Sequence, residues 1–346
     1  MKTLSQESIS TGREEARNQG MGSRPGVAFP MNSLSQEMQM PASPVTGGET
    51  KHISVCICTY KRPQLLKQLL DELRDQNTGG LFAYSIVVAD NDESRSAEPV
   101  VREFAVASHV SIQYCVQPRQ NISLTRNKAI ENASGDFIAF IDDDEFPTKR
   151  WLLTLFETCN KYGVDGVLGP VFPHFDNGAP QWVIKGKFYD RATYPTGFVI
   201  DWRKGRTGNV LLKRRVFEAD EQPFSPEFHR AGDQDFFRRM INKGYVFIWC
   251  NEAVAYEVVP STRWTRNFML KRALLRGTIA TKHPTFGIRS IVLSVIAVPT
   301  YTVVLPFAFL LGHHRFMNIL VRLFDHLGKL LSLVGLNPIK SQLATD

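Results

Sequence analysis

The stretch that most constrains this chain is IAFIDDDEF, residues 138–146, in which a run of large apolar residues ends in three aspartates and a glutamate. A buried strand accounts for the first half, but no hydrophobic core accepts the second half unpaired. A strand that carries the carboxylates out of a sheet at its carboxyl end satisfies both halves, and α/β folds build their sites at that edge. A hard divalent cation is the natural partner of such oxygens. A solvated acidic turn without a ligand is the alternative.

The segments around this stretch alternate between strand and helix patterns. Apolar runs predict buried strands at ISVCICTY, YSIVVADND, VSIQYCV and GVLGPV, which begin at residues 53, 84, 110 and 166. Leucines at helical spacing follow Pro63, and further helices are predicted at residues 123–132 and 150–161. Strands that alternate with helices pair in parallel through right-handed crossovers. The sequence therefore predicts an α/β domain with a mostly parallel central sheet.

Two later segments suggest parts of a site. Residues 173–204 are irregular and rich in Gly, Pro, Trp and Tyr, and long loops of this kind usually belong to binding sites. The sequence AGDQDFF then begins a predicted helix, with Asp233 and Asp235 in its first turn. Negative charge is favourable at a helix N-terminus, so these two aspartates have a structural explanation as well as a functional one.

The C-terminal region differs from the rest in charge and hydrophobicity. The chain carries a net charge of +7, and from Ser261 onward eleven Lys and Arg residues face two acids. Residues 290–311 contain no charge and are long enough to span a bilayer, although Pro299 and Pro306 suit a kinked or re-entrant segment. The preceding basic residues favour a cytoplasmic location for that side. Residues 316–336 have the pattern of an interfacial helix. Two core helices of a soluble domain are the alternative.

The remaining composition indicates the compartment and the domain limits. Five cysteines, odd in number and mostly inside apolar runs, indicate free thiols in a reducing compartment. Residues 1–50 have no apolar period and predict a disordered leader. We expect a catalytic domain at residues 51–262 and a membrane-associated helical tail at residues 263–346.

Four motifs in the right order resemble the non-processive family 2 glycosyltransferases, which have the GT-A fold. They are ISVCICTYKRP, IVVADND, SLTRNKAI and IDDDE, and the later GN and GDQDFF elements resemble the acceptor side of that family. The basic VPSTRW and LKRALLRG segments and the hydrophobic tail are most similar to succinoglycan-type exopolysaccharide β-glucosyltransferases. The sequence has Pro260 where processive synthases carry the Gln of Q-x-x-R-W, so we expect transfer of a single sugar.

The resemblance implies a nucleotide site on the first strands. Thr59, Tyr60 and Arg62 would lie against the nucleotide, and Asp90 would accept a hydrogen bond from the uracil N–H. Arg126 would lie near the donor phosphates.

The resemblance also assigns the acidic residues. Asp142 and Asp144 would form the D-x-D pair, with Asp142 toward the ribose or the sugar and Asp144 on the metal, which is Mg²⁺ or Mn²⁺; Asp142 would also be a metal ligand. Asp233 falls at the position of the catalytic base, but Gly232 replaces the usual preceding Glu, which leaves Asp235 as a possible substitute.

The resemblance, together with the basic and apolar tail, implies an inverting glycosyltransferase that moves one sugar, with glucose favoured, from a UDP-sugar to a lipid-linked oligosaccharide. The catalytic domain would lie on the cytoplasmic face of a bacterial inner membrane. Nucleic acid is disfavoured as a partner because the basic excess coincides with the apolar tail. Gly232 and Ala89 depart from the family pattern and leave open a non-catalytic nucleotide-sugar-binding protein of the same fold. The expected Gly-rich loop of a nucleotidyltransferase is missing after the first strand, and a glycoside hydrolase would not need a D-x-D cluster.

Overall fold

The computed structural model describes residues 50–175, 178–227, 232–281, 286–336 and 339. The predicted leader at residues 1–50 lies outside these ranges, apart from its last residue. The described strands are β1 (Lys51–Thr59), β2 (Phe82–Asp90), β3 (Ile112–Val116), β4 (Phe137–Phe140), β5 (Glu145–Pro147), β6 (Gly166–Leu168), β7 (Val171–His174), β8 (Val210–Lys213), β9 (Phe247–Trp249) and β10 (Ala255–Val258). The described helices are α1 (Pro63–Leu73), α2 (Glu98–Ala107), α3 (Ile122–Glu131), α4 (Trp151–Tyr162), α5 (Gln181–Gly186), α6 (Gly232–Asn242), α7 (Arg266–Ala280), α8 (Ile288–Leu310) and α9 (His313–Leu333).

The central sheet has seven strands in the order β3–β2–β1–β4–β8–β6–β9. All neighbours pair in parallel except β8, which is antiparallel to both β4 and β6, so the predicted mostly parallel sheet is confirmed. The register pairs Thr59 with Asp90 and Cys56 with Phe140. The carboxyl ends of β1, β2 and β4 therefore meet at one edge, where the acidic stretch follows β4.

A second, three-stranded sheet has the order β5–β10–β7. The prediction of one strand through residues 166–171 was wrong, because β6 belongs to the central sheet and β7 to this one. The chain changes sheet at Gly169, where a Cβ would lie 2.2 Å from the carbonyl oxygen of Ala253. The pairing of Glu145 with Glu257 in this sheet brings two carboxylates from distant parts of the chain together.

Two apolar clusters cover the faces of the central sheet. One packs α1 and α4 against it through Leu66, Leu69 and Trp151, all fully buried. The other packs α3 and α6 against the opposite face, with Phe224 and Phe236 stacked at 4.7 Å between ring centroids. These layers place Arg126, in the middle of α3, and Asp233, at the start of α6, near the edge where β4 ends.

The last three helices pack on one another. Helix α9 crosses α7 closely because Gly277 and Gly328 lie at their contact, and a Cβ on Gly328 would be 2.3 Å from the carbonyl oxygen of Leu274. Within the described residues, α8 alone is long and apolar enough to cross a membrane. Most of its large apolar side chains face outward.

Candidate active site

The carboxylates of the acidic turn after β4 have different partners. Asp143 is 5% exposed, and its carboxylate accepts hydrogen bonds from Thr59 Oγ1 at 2.8 Å and from Arg62 at 3.1 Å. Burial raises the pKa of Asp143 to about 6, and the Arg62 guanidinium opposes that rise. Asp143 therefore fastens the acidic turn to β1, which leaves its neighbours Asp142 and Asp144 for other partners.

Arg62, just before α1, holds two of the acidic residues. The same guanidinium nitrogen that contacts Asp143 also donates to Asp144 Oδ2 at 3.1 Å. In this structure Thr59 and Arg62, which the sequence predicts to contact the nucleotide, thus both bind the turn that carries the D-x-D pair. Their predicted contact with the nucleotide stays a prediction.

Asp142 is the least satisfied carboxylate of the cluster. Among the described residues no donor contacts its oxygens, and burial together with the charge of Asp144 raises its pKa. Gly208 lies against it, and a Cβ at that position would be 2.9 Å from Asp142 Oδ2. Glycine at position 208 therefore keeps open the space in front of this carboxylate.

The structure adds Glu145, Glu257 and Arg191 to the site. The Glu145 side chain is fully buried, Oε2 accepts the N–H of Asp142 at 3.4 Å, and Oε1 has no hydrogen-bond partner among the described residues. Arg191 lies 3.8 Å from Oε1 and also pairs with Glu257. Burial and the neighbouring charge of Asp142 hold the pKa of Glu145 well above its usual range. The glutamate of IDDDE was visible in the sequence, but its partners come from loops that no local pattern connects to it.

These residues fit a divalent cation. Burial raises the pKa of Asp144, with a further contribution from the charge of Glu257, and burial and the charge of Asp144 raise the pKa of Asp142. A cation next to them would compensate both the desolvation and the repulsion. No group of three His, Cys, Asp or Glu side chains among the described residues forms a ready-made metal cage. Mg²⁺ commonly takes only one or two carboxylates and leaves its other positions to phosphate and water, so Asp142 and Asp144 suffice.

The two candidate bases have different surroundings. Asp233 is 28% exposed; Oδ1 accepts from Arg126 at 2.6 Å, and Oδ2 accepts from the Thr207 hydroxyl at 3.0 Å. The side chain of Asp235 is only 7% exposed, and its two oxygens are bound by Arg238 and Arg239 at 2.9 and 2.8 Å. Thr207, which donates to Asp233, directly precedes Gly208, which lies against Asp142, whereas the two arginines that bind Asp235 lie on its own helix. The geometry thus brings Asp233, and not Asp235, to the acidic cluster.

The remaining predicted residues lie at the same edge. The Arg126 guanidinium carbon is 5.4 Å from the ring centroid of Phe224. Tyr60 is partly exposed directly after β1. Asp90 is fully buried, and its carboxylate accepts from the N–H groups of Asp92 and Ala97 and from the Tyr114 hydroxyl. The Asp90 carboxylate therefore holds the backbone of the loop after β2 in place. Its predicted contact with uracil stays a prediction.

The fold and this site define a glycosyltransferase of the GT-A fold. The sequence matches the family described as Glycosyl transferase family 2 over residues 54–245, and the chain belongs to that family. It is 36% identical to succinoglycan biosynthesis protein ExoM of Rhizobium meliloti (strain 1021), over 66% of this chain and 74% of that protein.

Two further comparisons are with a relative that matches a shorter region and with a solved structure of lower sequence identity. The GalNAc(5)-diNAcBac-PP-undecaprenol beta-1,3-glucosyltransferase of Campylobacter jejuni subsp. jejuni serotype O:2 is 27% identical over 32% of this chain and 35% of that protein. The structure of mannosyltransferase PcManGT from Pyrobaculum calidifontis in complex with GDP-Man and Mn²⁺ has a TM-score of 0.53 at 15% identity. It covers 81% of this chain and 86% of that chain, and it shows the shared fold.

Proposed function

We propose that this protein transfers one sugar, with glucose favoured, from a UDP-sugar to a hydroxyl of a lipid-linked oligosaccharide, with inversion at the anomeric carbon. The product would enter exopolysaccharide or another cell-surface glycan. The relative from R. meliloti is named for succinoglycan biosynthesis, and the relative from C. jejuni for glucosyl transfer to an undecaprenol-linked glycan. Both names support transfer of a sugar, and of glucose in the second case, during the synthesis of a surface glycan.

The observation that carries the proposal is that two adjacent residues link Asp233 to Asp142: Thr207 donates to Asp233, and Gly208 lies against Asp142. A transfer reaction needs a group that stabilises the leaving diphosphate and, across the donor, a base for the acceptor hydroxyl. Asp142 supplies an unpartnered carboxylate on one side, and Asp233, at the start of α6, supplies a second carboxylate held by Thr207. Arg126 and Thr207 hold the two oxygens of Asp233, which is the arrangement expected for a base oriented by neighbouring groups.

In this mechanism Asp233 takes the proton from the acceptor hydroxyl as its oxygen attacks the anomeric carbon. The bond from that carbon to the diphosphate oxygen breaks, and UDP leaves with the bonding electrons. Attack from the face opposite UDP inverts the configuration and gives a β-linkage from an α-linked donor. Mg²⁺ or Mn²⁺ held by Asp142 and Asp144 would supply positive charge that stabilises the diphosphate. General-base assistance of this kind contributes about 10²- to 10⁴-fold in rate.

The location proposed for the reaction is the cytoplasmic surface of the membrane, where nucleotide sugars and a lipid-linked acceptor can meet. The exposed apolar face of α8 and the basic residues of the C-terminal region support this location. The positive charge of the C-terminal region favours binding to anionic lipid or to a lipid diphosphate.

The test is an assay of nucleotide release by purified protein in detergent, with a panel of UDP- and GDP-sugars, Mn²⁺ or Mg²⁺, and membrane lipid extract as the source of acceptor. We expect metal-dependent release of UDP from one donor and loss of that release in Asp144→Asn and Asp233→Asn. Asp235→Asn is the matched control, because it changes a carboxylate of the same helix that is bound by two arginines away from the cluster; it should keep most of the activity.

Two other outcomes contradict the proposal. Donor binding without turnover, even with acceptor supplied, would identify a non-catalytic nucleotide-sugar-binding protein. Equal loss of activity in Asp233→Asn and Asp235→Asn, with both variants folded, would remove the assignment of the base.

A further inference from the structure

We infer that α8 lies in the plane of the membrane surface, with both of its ends on the side of the catalytic domain, and does not cross the bilayer. The inference deepens the membrane association of the proposed function and rests on it. It identifies the lipid bilayer as the partner of the exposed apolar face of α8, and it follows from how α7, α8 and α9 pack together.

Helix α9 runs antiparallel to α8 and stays beside it. At one end the rings of Phe309 and Phe316 are 5.7 Å apart. Farther along, His326 Nδ1 lies 2.9 Å from Ser294 Oγ and its ring is 5.9 Å from that of Tyr301. Ser294 and Tyr301 fall on either side of the midpoint of α8, so His326 lies beside the middle of the apolar helix.

A charged cluster lies at the same level. Asp325, next to His326, accepts hydrogen bonds from Arg276 of α7 at 2.7 Å and from Lys329 at 2.9 Å. The side chain of Arg276 is 57% exposed. If α8 crossed the bilayer, this cluster and an exposed guanidinium would sit in the centre of the hydrocarbon, where charges are strongly disfavoured. An in-plane α8 keeps the cluster on the water side.

The helices before and after α8 in the chain, α7 and α9, both begin next to the catalytic domain. After its C-terminal end, the ring of His313 packs on Trp182 at 4.9 Å between centroids, and Asn318 donates to the carbonyl of Gly186 at 3.2 Å. On the other side, α7 continues directly from Trp264, whose indole N–H donates to the carbonyl of Val259. Helices α7 and α9, which pack on each other, therefore tie α8 to the catalytic domain, and α9 contacts α8 through Phe316 and His326.

The face of α8 that this packing leaves uncovered is apolar and continuous. Its outward residues are at least half exposed, and they are Ile288, Val292, Leu293, Val295, Ile296, Val303, Phe307, Phe309 and Leu310. Helix α8 itself and α9, which packs on it, carry cations that are exposed to solvent, namely Arg289, Arg315 and Arg322. An apolar strip bordered by cations complements an anionic lipid surface, whereas a second copy of the chain would bring the same charges against it.

The first test is the sidedness of the two ends of α8 in inside-out membrane vesicles. Arg289→Cys and Arg315→Cys each introduce a thiol at an exposed position, one at either end, and the unsubstituted chain gives the background of its own cysteines. We expect a membrane-impermeant thiol reagent to label both variants in sealed vesicles. Labelling of one variant only after the vesicles are permeabilised would overturn the inference, because it would place the two ends on opposite sides.

The second test measures how deeply residues of α8 are immersed in the bilayer. Nitroxide labels on Val292→Cys, Val303→Cys and Leu310→Cys in vesicles of anionic phospholipid should report the same shallow immersion, because an in-plane helix holds all three at one level. A depth that increases toward the middle of α8 and falls again would indicate a span. Labels that contact no lipid, in a chain that self-associates, would show that the face binds a second copy, and would also overturn the inference.

These outcomes are distinguishable from failure of the proposed function. The apolar positions 292, 303 and 310 lie outside the acidic cluster and carry no charge for an acceptor, so UDP release in detergent should equal that of the unsubstituted chain in Val292→Cys, Val303→Cys and Leu310→Cys. Loss of activity already in the unsubstituted chain would count against the transferase proposal, while the labelling pattern would still decide the orientation of α8.

Discussion

The guanidinium of Arg126 donates a 2.6 Å hydrogen bond to Asp233 across a sequence separation of 107 residues. The pair joins the first half of the domain to α6, and the second oxygen of Asp233 is held by Thr207. Packing of α3 and α6 on the same face of the sheet makes this contact possible. The proposed base is therefore oriented by two segments that are far apart in the sequence.

Replacing Arg126 should slow turnover without unfolding the protein. We expect Arg126→Ala to lower kcat by about 10- to 100-fold, because a misplaced base loses part of the 10²- to 10⁴-fold that it contributes. Arg126→Lys should restore a fraction of the loss, since an ammonium replaces the charge but not the planar fork. Steady-state assays of UDP release measure the effect. The matched control is Arg238→Ala, which breaks the equivalent pair with Asp235; an equal loss in both variants would contradict the role of Arg126.

The three aspartates of the acidic turn should differ in their effect on metal binding. We expect Asp142→Asn to weaken Mn²⁺ binding more than about tenfold, because it neutralises a carboxylate that has no other partner. Asp143→Asn should change Mn²⁺ affinity by less than about threefold, since that carboxylate already binds Thr59 and Arg62. Titration calorimetry in the presence of UDP measures both. A larger effect at Asp143 than at Asp142 would show that the turn rearranges when the cation binds.

Metal binding should strengthen as the pH rises. Burial and mutual repulsion raise the pKa of Asp142 and of Asp144, so at low pH a cation must displace protons from them. Below the raised pKa, affinity should fall roughly tenfold per pH unit for each proton displaced. The measurement is the increase in Tm that Mn²⁺ produces with UDP at pH 5 and at pH 7, with Asp142→Asn as the control. An increase that is equal at both pH values, or larger at pH 5, would refute the prediction.

Asn209 should be important for stability and not for chemistry. It is fully buried with φ +55°, accepts the Trp151 indole N–H at 2.7 Å and donates to the carbonyls of Pro170 and Ala253. We expect Asn209→Ala to lower the free energy of unfolding by about 3 kcal/mol, since three buried groups lose a partner. Asn209→Gly should be less destabilising by roughly 1 kcal/mol, because glycine accepts the positive φ. Urea unfolding measures both, and an equal loss in the two variants would exclude the backbone contribution.

Local patterns predicted the regular elements well where burial is uniform. The helices expected at residues 123–132 and 150–161 are α3 (Ile122–Glu131) and α4 (Trp151–Tyr162), each within one residue. Continuous apolar runs located β1, β2, β3 and β4 because buried parallel strands have no polar face. The apolar run at residues 166–171 predicted one strand where there are two, because apolar residues alone do not reveal that a chain leaves one sheet for another.

The sequence by itself determined the family, the α/β architecture and the position of the acidic turn, because these follow from periodicity and from motifs of adjacent residues. Only the tertiary structure decided which partner each carboxylate of the acidic turn has. It turns Asp143 toward Thr59 and Arg62, leaves Asp142 unpartnered, and pairs Glu145 with Glu257 through strand register. It also separates Asp233 from Asp235, although both lie in one helical turn. The reason is physical: the partners of these groups are set by packing between distant segments, which no local pattern encodes.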